Sequence, residues 1–253
     1  YRDRRIGDRI TFGKRFDFIN SASLSLRGEQ VNIGSIDQPR FRPFEILAGE
    51  GDSYLSSVGL NFRRDTTNPG ILPYRGSITN AGVEVFGAMG GDYSFQRFSV
   101  GWSGYHTLRT DLLDRRTVLG MHLNAGFITG SSPFFERFYG GGIGSIRGFA
   151  YRGISPRAGR EFDQIGGNFE YHGSVEINYP IYEQMIRGVV FTDFGDIESD
   201  VKFGSFRSSV GAGVRLTLPF LGQTPIAIDF GVPVTRASHD QTQIISFSLG
   251  LSQ

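Results

Sequence analysis

Ser209-Val210-Gly211-Ala212-Gly213-Val214-Arg215-Leu216-Thr217-Leu218-Pro219-Phe220 alternates between two kinds of residue. Val210, Ala212, Val214, Leu216, Leu218 and Phe220 fall on one face, and Ser209, Gly211, Gly213, Arg215 and Thr217 on the other. A period of two marks an extended strand, because successive Cβ atoms leave the pleat on opposite sides. The face opposite the apolar one lacks the Lys/Glu-rich character of a strand that meets bulk water. It carries small residues and one isolated arginine, as a crowded polar interior would.

The same rule runs outward along the chain. Ile226, Ile228, Phe230, Val232 and Val234 oppose Ala227, Asp229, Gly231 and Thr235, and Ile245, Phe247, Leu249 and Leu251 oppose Ser246, Ser248, Gly250 and Ser252. Upstream, Tyr171, Val175, Ile177, Tyr179 and Ile181 oppose His172, Ser174, Glu176 and Asn178. Leu119, Met121, Leu123, Ala125 and Phe127 oppose Gly120, His122, Asn124 and Gly126; Phe98, Val100 and Trp102 oppose Arg97, Ser99 and Gly101. Residues 54–63 and 81–85 behave alike, as do Ile10, Phe12, Phe16 and Phe18 and then Ala22, Leu24 and Leu26. Only 186–197 keeps its faces hidden. The sum is about eleven or twelve strands of about ten residues, the length a tilted strand needs to cross a bilayer. A soluble sandwich also alternates and is the competing reading, but its strands average about five or six residues. The fold expected is all-β: an antiparallel transmembrane barrel, closed because an open edge in lipid leaves backbone groups unpaired.

Composition agrees. The 253 residues include 36 glycines and 23 phenylalanines, with no cysteine and a net charge of +1. No run of about eighteen apolar residues is present to span as a helix. Acids and bases are interspersed, without a basic stripe, so nucleic acid is not an expected partner. The charged opening, Tyr1-Arg2-Asp3-Arg4-Arg5, lacks the apolar run of a signal peptide, so a mature form or a fragment of an envelope protein is expected. Asn68-Pro69-Gly70 and Pro219-Phe220-Leu221-Gly222 read as turns. The longest irregular stretch, about Gly130 to Gly167, is too long for an idle connection and marks function.

Within it lies Phe138-Tyr139-Gly140-Gly141-Gly142-Ile143-Gly144-Ser145-Ile146-Arg147-Gly148-Phe149. This resembles the loop signature of the Omp85 superfamily of outer-membrane barrels, in which such a run belongs to a long inward-folded loop. Three further stretches match in order: Arg64 through Gly76, with its Pro-x-x-Gly ending; Phe191-Thr192-Asp193-Phe194-Gly195-Asp196; and Val214-Arg215 through Pro233. The resemblance covers most of the chain from about residue 54 onward. It implies a sixteen-stranded barrel of the bacterial outer membrane, with residues 1–253 forming a barrel domain that lacks periplasmic repeat domains and the first strands. The implied function is to assist insertion of other β-barrel proteins, by pairing a client strand at a weak seam. The alternative is a secretion conduit of the two-partner type, or a passive pore. Implied partners are the lipid bilayer, unfolded outer-membrane protein clients and accessory periplasmic or lipoprotein subunits.

The loop residues expected to matter are Gly141, Gly142, Ser145, Arg147, Gly148 and Phe149. An arginine folded into the lumen needs a partner, and the lumenal face offers Glu176 and Asp193, the acids that hold the loop arginine in the family. A guanidinium can fork onto carboxylates as lysine cannot. The alternative for Arg147 is a solvated loop residue. Phe247, Leu249, Gly250 and Leu251 match the approach to the family's C-terminal strand signal, although the sequence ends on Gln253 where the family has an aromatic residue. No enzyme, cofactor or metal site is expected. His106, His122, His172 and His239 have no spacing that specifies a base, an orienting group or metal ligands. The glycine run does not open a helix after a strand, as a nucleotide fingerprint would.

Overall fold

Alternation becomes architecture in a single antiparallel meander. A computed structural model of the chain describes residues 2–34, 36, 42–70, 72–183, 185–217 and 225–250. Eleven strands follow one another in chain order: β1 (Arg2–Arg15), β2 (Asn20–Gly34), β3 (Gly51–Asp65), β4 (Gly76–Phe86), β5 (Phe95–Thr110) and β6 (Arg116–Gly130) come first. After the long loop come β7 (Phe169–Tyr182), β8 (Ile186–Glu198), β9 (Arg207–Thr217), β10 (Pro225–Thr235) and β11 (Ile245–Leu249). Each pairs with its sequence neighbour, and among the described residues β1 and β11 are the two edges. Most strands run 11 to 16 residues, well beyond soluble lengths. No described helix is long and apolar enough to cross a membrane.

The burial pattern is inverted relative to a soluble protein. On β10, Phe230 and Val232 are 52% and 54% exposed, whereas Asp229 is 2% exposed. Leu60, Val100, Leu123, Val210 and Phe247 likewise point outward, while Asp193, Ser209 and Ser246 are buried. Apolar side chains on the convex face and charges on the concave face are what lipid outside and a filled lumen inside require. The sheet curls far enough that Arg63 of β3 and Arg215 of β9 line one cavity of about 270 Å³. Residues 16–19 form the β1–β2 turn, where Asp17 accepts the backbone N–H groups of Ile19 and Asn20 at 2.7 and 2.6 Å. Phe16 and Phe18, expected on a strand, therefore sit in that turn. Asn68 closes the β3–β4 connection by accepting the N–H groups of Tyr74 and Arg75. The turn expected at Pro219–Gly222 lies outside the described residues.

The loop from 131 to 168 fills the concave side. Phe134 and Phe135 pack with Val31, Ile33, Leu55, Phe86, Phe95 and Ile128 from β2 to β6. Farther on, Ile146, Phe149 and Ile154 pack on Ile197 of β8. Gly148–Phe149 pairs with Thr242–Gln243, and Arg157–Ala158 with Asp163–Gln164.

Candidate functional site

Register decides which side chains meet the loop. Ser174 of β7, Asp193 of β8 and Ser209 of β9 stand in one row across the sheet. The neighbouring row holds Glu176, Phe191, Gly211 and Gly231, and the next holds Val189, Gly213 and Asp229. All face the lumen. The wall thus presents three acids in adjacent rows, separated by residues small enough to let a loop backbone approach.

The loop tip is shaped to use that wall. Gly141 and Gly142 take positive φ values of 97° and 87°, which glycine tolerates without the steric cost of a Cβ. They close a turn in which the Gly142 N–H reaches the Ile146 carbonyl at 3.1 Å and Ser145 Oγ accepts the Gly141 N–H at 3.3 Å. Gly148, at φ 91°, lies against Gly231 so closely that a Cβ on Gly231 would sit 2.7 Å from the Gly148 nitrogen. This contact fixes the depth of the loop and leaves Arg147 nowhere to go but into the wall.

The Arg147 guanidinium forks onto one carboxylate: Nε and Nη2 reach Oδ2 and Oδ1 of Asp193, each at 2.8 Å. The Arg147 backbone N–H adds a third bond to the same Oδ2 at 2.9 Å. Ser174 Oγ accepts from Nη2 at 2.9 Å and donates to Asp193 Oδ1 at 2.6 Å. Glu176 is a weaker neighbour, 3.4 Å from Nη1, and Asp229 stands 3.6 Å away. Beneath, Arg147 Cζ lies 3.4 Å from the centroid of the Phe191 ring, a cation–π contact. Burial opposes the charge on Arg147, but the hydrogen bonds and charge of Asp193, then Glu176 and Asp229, outweigh it and raise its pKa. The arginine is therefore a permanent cation held in a planar, acceptor-rich slot, which a lysine could fill only as a point charge.

The structure brings Arg147, Asp193 and Glu176 together, with Asp193 as the principal acceptor. Sequence reasoning placed Asp229 and Arg215 on the lumenal face without joining them to the cluster. Arg215 grips Asp229 at 2.7 and 3.1 Å, dividing that acid between two guanidiniums. Ser174 was also missed as a partner, since only the β7–β8 register puts it opposite Asp193. Phe247 and Leu249 face outward on β11, Gly250 donates to the Pro225 carbonyl at 2.9 Å, and Leu251 lies outside the described residues. His122 and His172 line the lumenal cavity. His122 Nδ1 lies 3.0 Å from Ser103 Oγ, but the neighbouring Glu176 is engaged by Arg147 and Asn178. His106 is exposed, and His239 stacks on Phe162.

A meander of long strands, an inverted burial pattern and an arginine loop docked on the lumenal wall define a narrow class of proteins. The family model described as the Omp85 superfamily domain matches residues 1–252. The chain belongs to the Omp85 superfamily. Among Omp85 relatives, it is 31% identical over 252 residues to the outer membrane protein assembly factor BamA of Nitratidesulfovibrio vulgaris, covering 97% of this chain and 31% of that protein. It is 32% identical over 181 residues to the sorting and assembly machinery component 50 homolog B of Xenopus laevis, covering 70% of this chain and 36% of that protein. The crystal structure of BamA from Haemophilus ducreyi lacking POTRA domains 1–3 superposes with a TM-score of 0.78 at 20% identity, over 97% of this chain and 53% of that one. That likeness shows the fold, a β-barrel sheet, while the superfamily rests on the match over residues 1–252. The chain spans about a third of the length of these curated relatives.

Proposed function

We propose that residues 1–253 are the barrel domain of a bacterial outer-membrane protein assembly factor, in which Arg147 holds the loop in the lumen while the sheet assists client strands into the bilayer. One observation carries this reading over a passive pore. The loop occupies the concave side, where a passive pore would need free space, and is tied to β7 and β8 by five hydrogen bonds from Arg147. The names of the relatives, an assembly factor and a sorting and assembly component, point the same way. The physical means is strand addition, since an unpaired strand edge templates a further strand through main-chain hydrogen bonds. Clients are then unfolded outer-membrane proteins, and accessory periplasmic or lipoprotein subunits would deliver them. The domain performs no covalent chemistry in this reading and needs no cofactor.

The test is reconstitution of the full-length protein in phospholipid vesicles, followed by addition of a urea-unfolded client barrel. Folding of the client, read by its heat-modifiable electrophoretic mobility, is expected to run faster than in empty vesicles. An Arg147→Ala protein that itself folds is expected to lose most of that acceleration. No acceleration by the wild type, together with a large steady conductance, would favour a conduit instead.

A further inference from the structure

The entrance of the loop carries a second buried charge that the Arg147 site does not use. Glu136 follows Phe134 and Phe135 in a single 3₁₀ turn and is 5% exposed. Three arginines from three strands converge on it. Arg5 of β1 reaches Oε1 at 2.8 Å, Arg27 of β2 reaches Oε1 at 3.1 Å, and Arg97 of β5 reaches Oε2 at 3.0 Å. The grip includes loop backbone: Arg5 also donates to the Phe135 carbonyl at 3.1 Å, and Arg97 to that of Glu136. Glu29 and Glu84 also pair with these arginines, Glu29 with Arg27 and Arg5, Glu84 with Arg97 and Arg27 and with Arg9. The arginines are thus compensated in part by the wall, yet it is Glu136 that joins all three.

We propose that Glu136 is a second anchor of the loop, opposite in charge to Arg147 and seated on the other half of the sheet, so that the loop is a brace across the lumen. The arrangement is complementary end to end. A loop anion is held by arginines of β1, β2 and β5, and a loop cation is held by acids of β7, β8 and β10. Beside the anchors, Phe134 and Phe135, just before Glu136, sit in one apolar cluster, and Ile146 and Phe149, on either side of Arg147, in another. Each end therefore has its own charge lock and its own apolar seat, and either can open while the other holds. Glu136 acts by positioning the loop entrance. The inference does not depend on whether the barrel inserts clients or conducts.

Trypsin reads the two ends separately, because Arg137 adjoins one anchor while Arg152 lies beyond the other, two residues before Ile154 of its apolar seat. The full-length protein is reconstituted in vesicles, heat-modifiable mobility confirms that each variant is folded, and cleavage rates are measured at each site. Where opening is fast, cleavage tracks the open population, so Glu136→Gln is expected to raise cleavage after Arg137 about tenfold. Cleavage after Arg152 should stay at the wild-type rate, and Arg147→Ala should give the reverse pattern. Arg5→Gln, which removes one of three guanidiniums, is measured beside them and should raise cleavage after Arg137 by a smaller factor; it decides the matter if Glu136→Gln does not assemble. Wild-type protection in Glu136→Gln and Arg5→Gln would overturn the proposal. So would equal exposure of both sites in any one variant, since that describes a single latch.

Discussion

Asp193→Asn is the sharpest perturbation of the Arg147 site. Asp193 is fully buried and accepts three hydrogen bonds from Arg147 and one from Ser174. Breaking a buried ion pair by removing one partner costs about 3–5 kcal/mol, because the remaining charge is left without compensation. Here Glu176 and Asp229 stay within 3.4 and 3.6 Å of Nη1 and recover part of that loss, so the low end, about 3 kcal/mol, is expected. Glu176→Gln provides the contrast. Its contact is longer and its side chain is 18% exposed, so its removal should cost about 1 kcal/mol or less. Trp102, the single tryptophan, reports unfolding by fluorescence. With a urea slope of about 2 kcal/mol per molar, the aspartate variant should shift the midpoint down by about 1.5 M, and the glutamate variant by about 0.5 M or less. If the two midpoints move equally, the fork onto Asp193 is not the principal bond and the hierarchy drawn from the distances fails.

Three further outcomes follow from the same geometry. Phe230→Arg puts a charge on the convex face and should destabilise the protein in bilayers by about 2–4 kcal/mol near the midplane, whereas Asn124→Arg on the lumenal face should cost far less in the same urea titration. Gly231→Ala drives a Cβ to 2.7 Å from the Gly148 nitrogen, a backbone contact that cannot rotate away; about 1–3 kcal/mol of overpacking is expected, with increased tryptic cleavage after Arg152. The Glu136 anchor should also respond to acid. Burial pushes its carboxyl upward, but Arg27, Arg97 and Arg5 overcome that and hold it below the ordinary value of 4.5. A depressed carboxyl contributes fully above its unfolded value and loses that contribution as pH falls through the folded one. Protection of Arg137 from an acid-tolerant protease should thus be constant from pH 7 to about 4.5 and fade only below it; loss of protection already at pH 6 would contradict the three-arginine grip.

The sheet was legible where lipid and lumen impose opposite demands. On β9, β10 and β11 every second residue is apolar because every second residue meets lipid, and the faces assigned from alternation match the buried and exposed sides. Strand β8 resisted reading because Val189 and Phe191 point inward with Asp193. Their inward position follows from the loop: the Phe191 ring lies beneath the Arg147 guanidinium and above Gly211, whose missing side chain makes room for it. A lumen packed by a loop behaves locally like a core, which removes the polar half of the alternation. Phe16 and Phe18 misled in the opposite way, continuing the β1 period into a turn built by Asp17. The family signature singled out Arg147, Glu176 and Asp193. It said nothing of Ser174, whose part depends on pairing register, nor of Glu136, whose partners lie 131, 109 and 39 residues away.

Those separations bear on how the two halves of the sheet come to share one loop. Arg147 lies ahead of every acid that neutralises it, by 29 residues to Glu176 of β7 and 46 to Asp193. Glu136, by contrast, arrives after all three of its arginines. Whichever half of the sheet forms first, it meets one loop charge and leaves the other to wait for the remaining strands. A sheet with only one half in place therefore leaves one loop charge without its partners, which is costly wherever that charge is kept from water. The docked loop thus records that both halves of the sheet are present.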